Sequence, residues 1–143
     1  MSKYKLTVDT KDLKRWVGSA TKHLRNLEVP MASAREYFRE KIANQFEAEI
    51  DPYGNPWEPL KPETLAKKKG GSILVREGYG WLRDSFIYIV DKSSLKIYSK
   101  SKVFESHQLG ISPVPQREML GISPEDKNEI ARRARVYVGG IKK

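Results

Sequence analysis

The chain has 143 residues, 38% of them hydrophobic and 31% charged, with a formal net charge of +9 and a pI near 9.7. It contains no cysteine, which excludes a disulfide framework, thiolate chemistry and a Cys-based metal site. No apolar run approaches the ~18 residues of a membrane helix, and Met1–Thr10 lacks the apolar stretch of a signal peptide. The expectation is one soluble domain spanning 1–143, made in the cytosol, with room for a real core.

Lys3–Val8 alternates polar residues with Tyr4, Leu6 and Val8, the pattern of a half-buried strand. Asp9 or Thr10 then caps a helix. Leu13, Trp16, Val17, Ala20, Leu24 and Leu27 continue it as one apolar stripe. Val29-Pro30 opens a second helix, proline being favoured in a first turn. Its buried face reads Ala34, Tyr37, Phe38, Ile42, Phe46 and Ile50, and it stops at Asp51-Pro52.

Asp51–Thr64 reads DPYGNPWEPLKPET, with turn chemistry at nearly every step. The same loop carries Trp57 and Leu60, side chains costly to leave in water. Such a loop is ordered, with Trp57 anchored in its own core or in a neighbouring subunit. Pro62–Lys69 reads as a brief basic helix ended by Gly70-Gly71. Lys67, Lys68 and Lys69 beside that glycine pair predict a mobile segment. Within Ile73–Ser85, Gly78 and Gly80 break the chain, and Trp81-Leu82 seats a short turn.

Phe86–Val90 is the strongest strand, Asp91–Ser94 a turn and Leu95–Ser99 the returning strand of a hairpin. Lys100–Gly121 reads as a long loop. Ser123–Asp126 has the form of a capping box opening a helix to about Arg135, and Val136–Val138 reads as a last strand. The sum is an α+β fold: two long N-terminal helices and a C-terminal helix on a small antiparallel sheet, joined by long ordered loops.

Groups for catalysis do not converge in the sequence. His107 lies between Ser106 and Gln108 with no matching base or nucleophile motif, and Glu47 and Glu49 point to different helix faces. No enzymatic activity and no cofactor is expected. The basic clusters, Lys67–Lys69 and Arg132, Arg133 and Arg135, allow a second reading as a nucleic-acid-binding module contacting DNA phosphates, or as a surface for an acidic partner. In the 107–120 block a few hydrogen-bonding groups (His107, Gln108, Arg117) stand among Leu109, Ile111, Val114, Met119 and Leu120. That mixture is typical of subunit interfaces.

Four blocks, in order, carry a resemblance: PYGNPWEPLKPETL, IL…GYGWLRDS, HQLG at His107–Gly110, and VPQREMLGISPED at Val114–Asp126. Together they resemble the virion-morphogenesis proteins of tailed phages, the group of Mu G-like tail-completion and neck proteins, over roughly Phe46–Ile130. Tyr79-Gly80-Trp81, Val103–Ser106 and Pro115-Gln116-Arg117 depart from the group's usual pattern. The resemblance implies a non-catalytic structural protein of the virion, made in the host cytoplasm. It would assemble as a homo-oligomeric ring, a hexamer or dodecamer, at the head–tail junction as a neck, tail-completion or terminator protein. Its partners would be neighbouring neck, portal-adaptor or tail-tube proteins and, transiently, packaged DNA, with no membrane. The subunit contacts would fall on Trp57, Leu60, His107, Gln108, Arg117 and Leu120.

Overall fold

A computed structural model of the protein describes residues 4–18, 26–63, 73, 82–111 and 113–141. Lys67–Lys69, the glycine pair and Trp81 lie outside the described residues, as does most of the second resemblance-bearing stretch before Leu82. The described chain is α+β: three strands in one antiparallel sheet, and four helices. The strands are β1 (Leu6–Asp9), β2 (Phe86–Val90) and β3 (Ser94–Ser99). The helices are α1 (Thr10–Val17), α2 (Glu28–Ala48), α3 (Phe104–Leu109) and α4 (Pro124–Ile141).

The sheet order is β1-β3-β2. Leu6 pairs with Ile97 and Val8 with Leu95; on the other side Phe86 pairs with Ser99 and Tyr88 with Ile97. The hairpin between β2 and β3 turns on Asp91, whose Oδ1 accepts from the N–H groups of Ser93 at 2.8 Å and Ser94 at 2.7 Å. This is the local side-chain capture that makes Asp a turn residue. Those bonds also hold the Asp91 carboxyl below its usual range.

Asp9 ends β1 and starts α1 in one step. Its Oδ1 accepts from Asp12 N at 2.9 Å while Asp12 Oδ2 accepts from Asp9 N at 3.0 Å, a reciprocal capping box. The helix then stops after eight residues, because Gly18 takes φ 85° and its N–H turns back to Lys14 O. Leu13 is buried and Trp16 half-buried. The expected pair of long N-terminal helices is therefore corrected: α2 is the one long helix on that side. Leu27, expected on the first helix's stripe, instead precedes α2 and is fully buried. Ala20 and Leu24 lie outside the described residues.

Helix α2 buries Met31, Ala34, Phe38, Ile42 and Phe46 at spacings of three and four, together with Gln45. Tyr37 is half-buried, and Ile50 lies beyond the helix. Glu49 ends the helix in the left-handed region at φ 60°, with its N–H on Gln45 O. The helix packs on β2, β3 and α4, and α4 packs on α1 as well. All of these contacts lie on one side of the sheet, so the core is the space between the sheet's Leu6, Val8, Phe86, Leu95 and Ile97 and the helices.

Two further expectations are corrected. His107–Gly110 belongs to helix α3 rather than to a loop. Gly110 at φ 69° ends it, with its N–H on Ser106 O. Val136–Val138 is not a strand. The helix α4 carries on through it to Ile141, with Val138 buried and Val136 exposed. A three-residue apolar alternation is too short to separate period 2 from one helical turn.

Phe104 is fully buried, its ring 5.8 Å from Phe86 and 6.0 Å from Tyr4. Phe104→Ala is expected to destabilise the fold by about 3–5 kcal/mol. Leu109→Ala, at a site 47% exposed on the same helix, is expected to change stability by less than about 0.5 kcal/mol. Urea denaturation of the two variants checks the contrast.

Candidate interaction site

The proline loop is a built structure. Asp51 Oδ1 accepts from Tyr53 N at 2.8 Å and Asn55 N at 2.9 Å, and Asp51 N donates to Asn55 O at 2.8 Å. Gly54 supplies φ 90° at the tip. Trp57 N returns to Glu49 O at 2.9 Å, which closes the loop on the end of α2. The indole is 5% exposed, lies edge-on to Phe46 at 5.2 Å and donates through Nε1 to Glu118 O at 2.9 Å. Leu60 is half-buried against the same core.

Residues 115–121 form a run with neither helix nor strand, and with no strand partner among the described residues. Side chains take over the role of a ladder. Gln108 Oε1 accepts from Met119 N at 2.7 Å and Leu120 N at 3.0 Å, and its Nε2 donates to Leu120 O at 2.8 Å. Gln45 Nε2 donates to Met119 O at 2.9 Å. Arg117 reaches across to the proline loop, Nε to Glu58 O at 2.8 Å and Nη2 to Pro59 O at 3.3 Å. Its backbone N–H meets His107 O at 2.7 Å. Burial lowers the Arg117 pKa from its ordinary value, and Glu58 and Glu49 act in the opposite sense.

The structure thus gathers Trp57, Leu60, His107, Gln108, Arg117 and Leu120 into one clasp joining α2, α3 and the proline loop. Gln108, Leu120 and Arg117 are 1%, 1% and 6% exposed and work inside the subunit. The solvent-facing apolar groups stand at the clasp's two ends. Leu109 and Ile111 flank Gly110, which approaches Gln116 so closely that a Cβ there would sit 2.7 Å from the Gln116 Cβ. Tyr53, 51% exposed, stands at the other end beside Gly121 and Glu118. Burial raises both the Glu118 and the Tyr53 pKa. Sequence reading missed Gln45, because a polar residue on a buried helical stripe reads as a flaw in the pattern until its backbone partner is known.

Asp126 is a second node, 1% exposed. Its Oδ2 accepts from Ser123 N at 2.7 Å and from the Lys41 ammonium, its Oδ1 from Tyr37 Oη at 2.5 Å, and its N–H meets Ser123 Oγ at 3.1 Å. Burial and Asp126 together push the Tyr37 pKa upward. The expected capping box of α4 therefore also bolts that helix to α2. Of the C-terminal arginines, Arg132 and Arg133 both donate to Glu129, at 2.7 to 2.9 Å. Arg133 also donates to Ser33 O at 3.1 Å and lies over the Tyr37 ring at 5.4 Å. Arg135 is exposed. A cleft of about 580 Å³ opens between α2, the loop tip and α4, lined by Glu40, Lys41, Asn44, Tyr53, Glu125 and Arg133 among others. Among the described residues no group of His, Asp or Glu is placed to hold a metal ion.

The phage virion morphogenesis family model matches residues 8–139, which takes in the second half of β1, most of α4 and all of α1, α2, α3, β2 and β3. The chain therefore belongs to the phage virion morphogenesis family. No curated protein and no solved structure gives a significant match. Membership carries a structural role in the virion. Among the described residues no helix is long and apolar enough to cross a membrane.

Two outcomes test the clasp. Gln108→Leu strips two backbone N–H groups and one carbonyl of their partner in a buried site, and is expected to destabilise the subunit by about 2–4 kcal/mol. Gln108→Glu, which retains the acceptor oxygens but loses the amide donor, is expected to fall between Leu and wild type in thermal melts at neutral pH. The second outcome concerns Glu129, whose pKa is pushed down to about 2 by hydrogen bonds from Arg132 and then Arg133. A depressed carboxylate stabilises the fold above its unfolded pKa of roughly 4.3 and loses that contribution as pH falls toward the folded value. The stability advantage of wild type over Glu129→Gln is therefore expected at pH 7 and is expected to fade between about pH 5 and 2.

Proposed function

We propose that the protein is a non-catalytic ring subunit at the head–tail junction of a tailed phage, acting in neck assembly or tail completion. The observation that carries the reading is the clasp. The family match spans a chain that uses the buried Gln45, Gln108 and Arg117 to rigidify the loops of the clasp, and leaves apolar residues outside at both ends of that rigid unit. Preorganised loops lose less entropy on association than slack ones. Leu109, Ile111 and Tyr53 are the surface through which neighbouring subunits of a hexamer or dodecamer, or adaptor and tail-tube proteins, make contact. Trp57, Leu60, His107, Gln108, Arg117 and Leu120 hold that surface in shape.

A basic surface on such a ring also suits passing DNA. Of the candidate phosphate contacts in the described residues, Arg135 projects into solvent while Arg132 and Arg133 lie on Glu129. Phosphate binding is thus the lesser reading. It predicts affinity for duplex DNA that falls steeply with salt.

Electron microscopy of the purified protein, and of intact particles labelled with an antibody against it, tests the first reading. Rings in solution or label at the head–tail junction are expected; label distributed along the tail or over the capsid overturns it. Leu109→Asp with Ile111→Asp is expected to keep the circular dichroism and melting temperature of wild type and to abolish incorporation into particles. Normal incorporation of that variant removes this surface from the interface.

A further inference from the structure

We infer that the open face of the three-stranded sheet binds single-stranded nucleic acid, with the Tyr98 ring as a stacking surface for a base and Lys5, Lys96 and Lys100 as phosphate contacts. The described helices pack on the face that carries Leu6, Val8, Phe86, Leu95 and Ile97. Strand alternation puts the residues between them on the other face. There Tyr98 of β3 pairs with Ile87 of β2, and Lys96 lies between Ile89 of β2 and Thr7 of β1. Lys100 extends the same register, its N–H on Ser85 O at 3.0 Å. Lys5 falls between Tyr4, which packs on Phe104, and the buried Leu6, so it takes the open side as well. Lys5, Lys100 and Ile89 are exposed, and Thr7, Ile87, Lys96 and Tyr98 are half-buried.

The lysines of this face are uncommitted. No ion pair among the described residues includes Lys5, Lys96 or Lys100, whereas Arg132 and Arg133 are held by Glu129. Two carboxylates, Asp9 and Asp91, stand at the other end of the face, where β1 passes into α1 and β2 turns into β3. Both are spent on backbone N–H groups, Asp9 on that of Asp12 and Asp91 on those of Ser93 and Ser94. Positive charge therefore gathers around Tyr98. A face of that sign repels its own copy, so its complement is a polyanion and not a second subunit.

The apolar groups decide which polyanion. Ile87, Ile89 and the Tyr98 ring form a band among the lysines. A duplex presents phosphate and sugar to a flat surface and gains nothing from such a band. A single strand can splay its bases onto it, and base–aromatic stacking beside backbone-tracking cations is the sequence-tolerant way such strands are held. Lysine suits the phosphates as a point charge on a flexible stem, without the planar fork that reads a base edge. An acidic peptide satisfies the lysines but offers no base to Tyr98. The face is distinct from the α4 arginines, and binding there depends on neither ring assembly nor virion location.

Fluorescence anisotropy of the full chain with a labelled oligothymidylate of about 12 nucleotides, over a salt series, tests the inference. Wild type is expected to bind it more tightly than a duplex of the same length. Tyr98→Thr, which keeps a strand-forming residue but removes the ring, is expected to weaken binding about tenfold, and Tyr98→Phe to retain it. Lys5→Gln and Lys100→Gln, at exposed positions that leave the core untouched, are each expected to reduce the slope of log affinity against log salt by about 0.7. A circular dichroism spectrum matching wild type accompanies each measurement. Wild type that does not bind, affinity for the duplex equal to that for the single strand, or polyglutamate that competes as well as the oligonucleotide overturns the inference. So does an unchanged salt slope in both lysine variants, or a loss of binding in Arg135→Gln with Tyr98→Thr unaffected, which places the contact on α4 instead.

Discussion

A chain segment that buries residues without a sheet partner has to find its hydrogen bonds elsewhere, and in this protein residues 115–121, with Arg117, Met119 and Leu120 buried, set that demand. Each buried backbone group left unpaired costs about 1–3 kcal/mol, which over such a stretch rivals the whole stability of a small domain. Three side chains meet most of the need: Gln108 from α3, Gln45 from α2 and Trp57 from the proline loop. Gln108 alone serves two N–H groups and a carbonyl. The primary amide suits this because it offers donor and acceptor on one rigid plane. It matches a strand's backbone as a neighbouring strand would. Once these bonds form, the loop, two helices and the segment are no longer independent pieces.

That dependence explains what could be read from the sequence. Elements governed by local chemistry were legible: the β2–β3 hairpin through Asp91, the capping boxes at Asp9 and Ser123, and the stripe of α2. The anchoring of the loop by Trp57 also followed from placing a large aromatic among four prolines. What escaped was set by tertiary context. Helix α3 is six residues long, has no side-chain cap and shows no readable period, so its identity rests on Phe104 entering the core beneath Tyr4 and Phe86. Helix α1 carries an apolar stripe that continues past Gly18, yet the positive φ of that residue ends the helix. Helix α4 passes through a valine-rich end that mimics a strand, because Val138 finds a buried place on the helical period.

The two nodes differ in kind. The clasp's side-chain bonds run from two amides, an indole and one guanidinium to backbone groups. The Asp126 node depends on charge: one carboxylate, 1% exposed, is surrounded by Tyr37, Lys41 and the first turn of α4. A buried carboxylate is tolerable only with such a full set of donors. It also sits near a helix N-terminus, where the peptide dipoles favour negative charge. This node fixes α4 against α2, and α4 in turn carries the arginine cluster.

The arginines then show how one residue type serves two ends. Arg117 is buried and faces carbonyl oxygens, so its role is directional bonding across the clasp; the guanidinium's planar fork reaches two successive carbonyls at once, which a lysine ammonium on a flexible stem does less well. Arg132 and Arg133 share Glu129 on the surface of α4, and Arg133 adds Ser33 and the Tyr37 ring. Those two cations are partly spoken for at home, and a phosphate would have to compete with a carboxylate already in place. The formal charge of +9 therefore overstates what the described helix α4 presents to a polyanion. A surface built to hold a polyanion tightly would leave such arginines unpaired, and on α4 two of the three are held by one carboxylate.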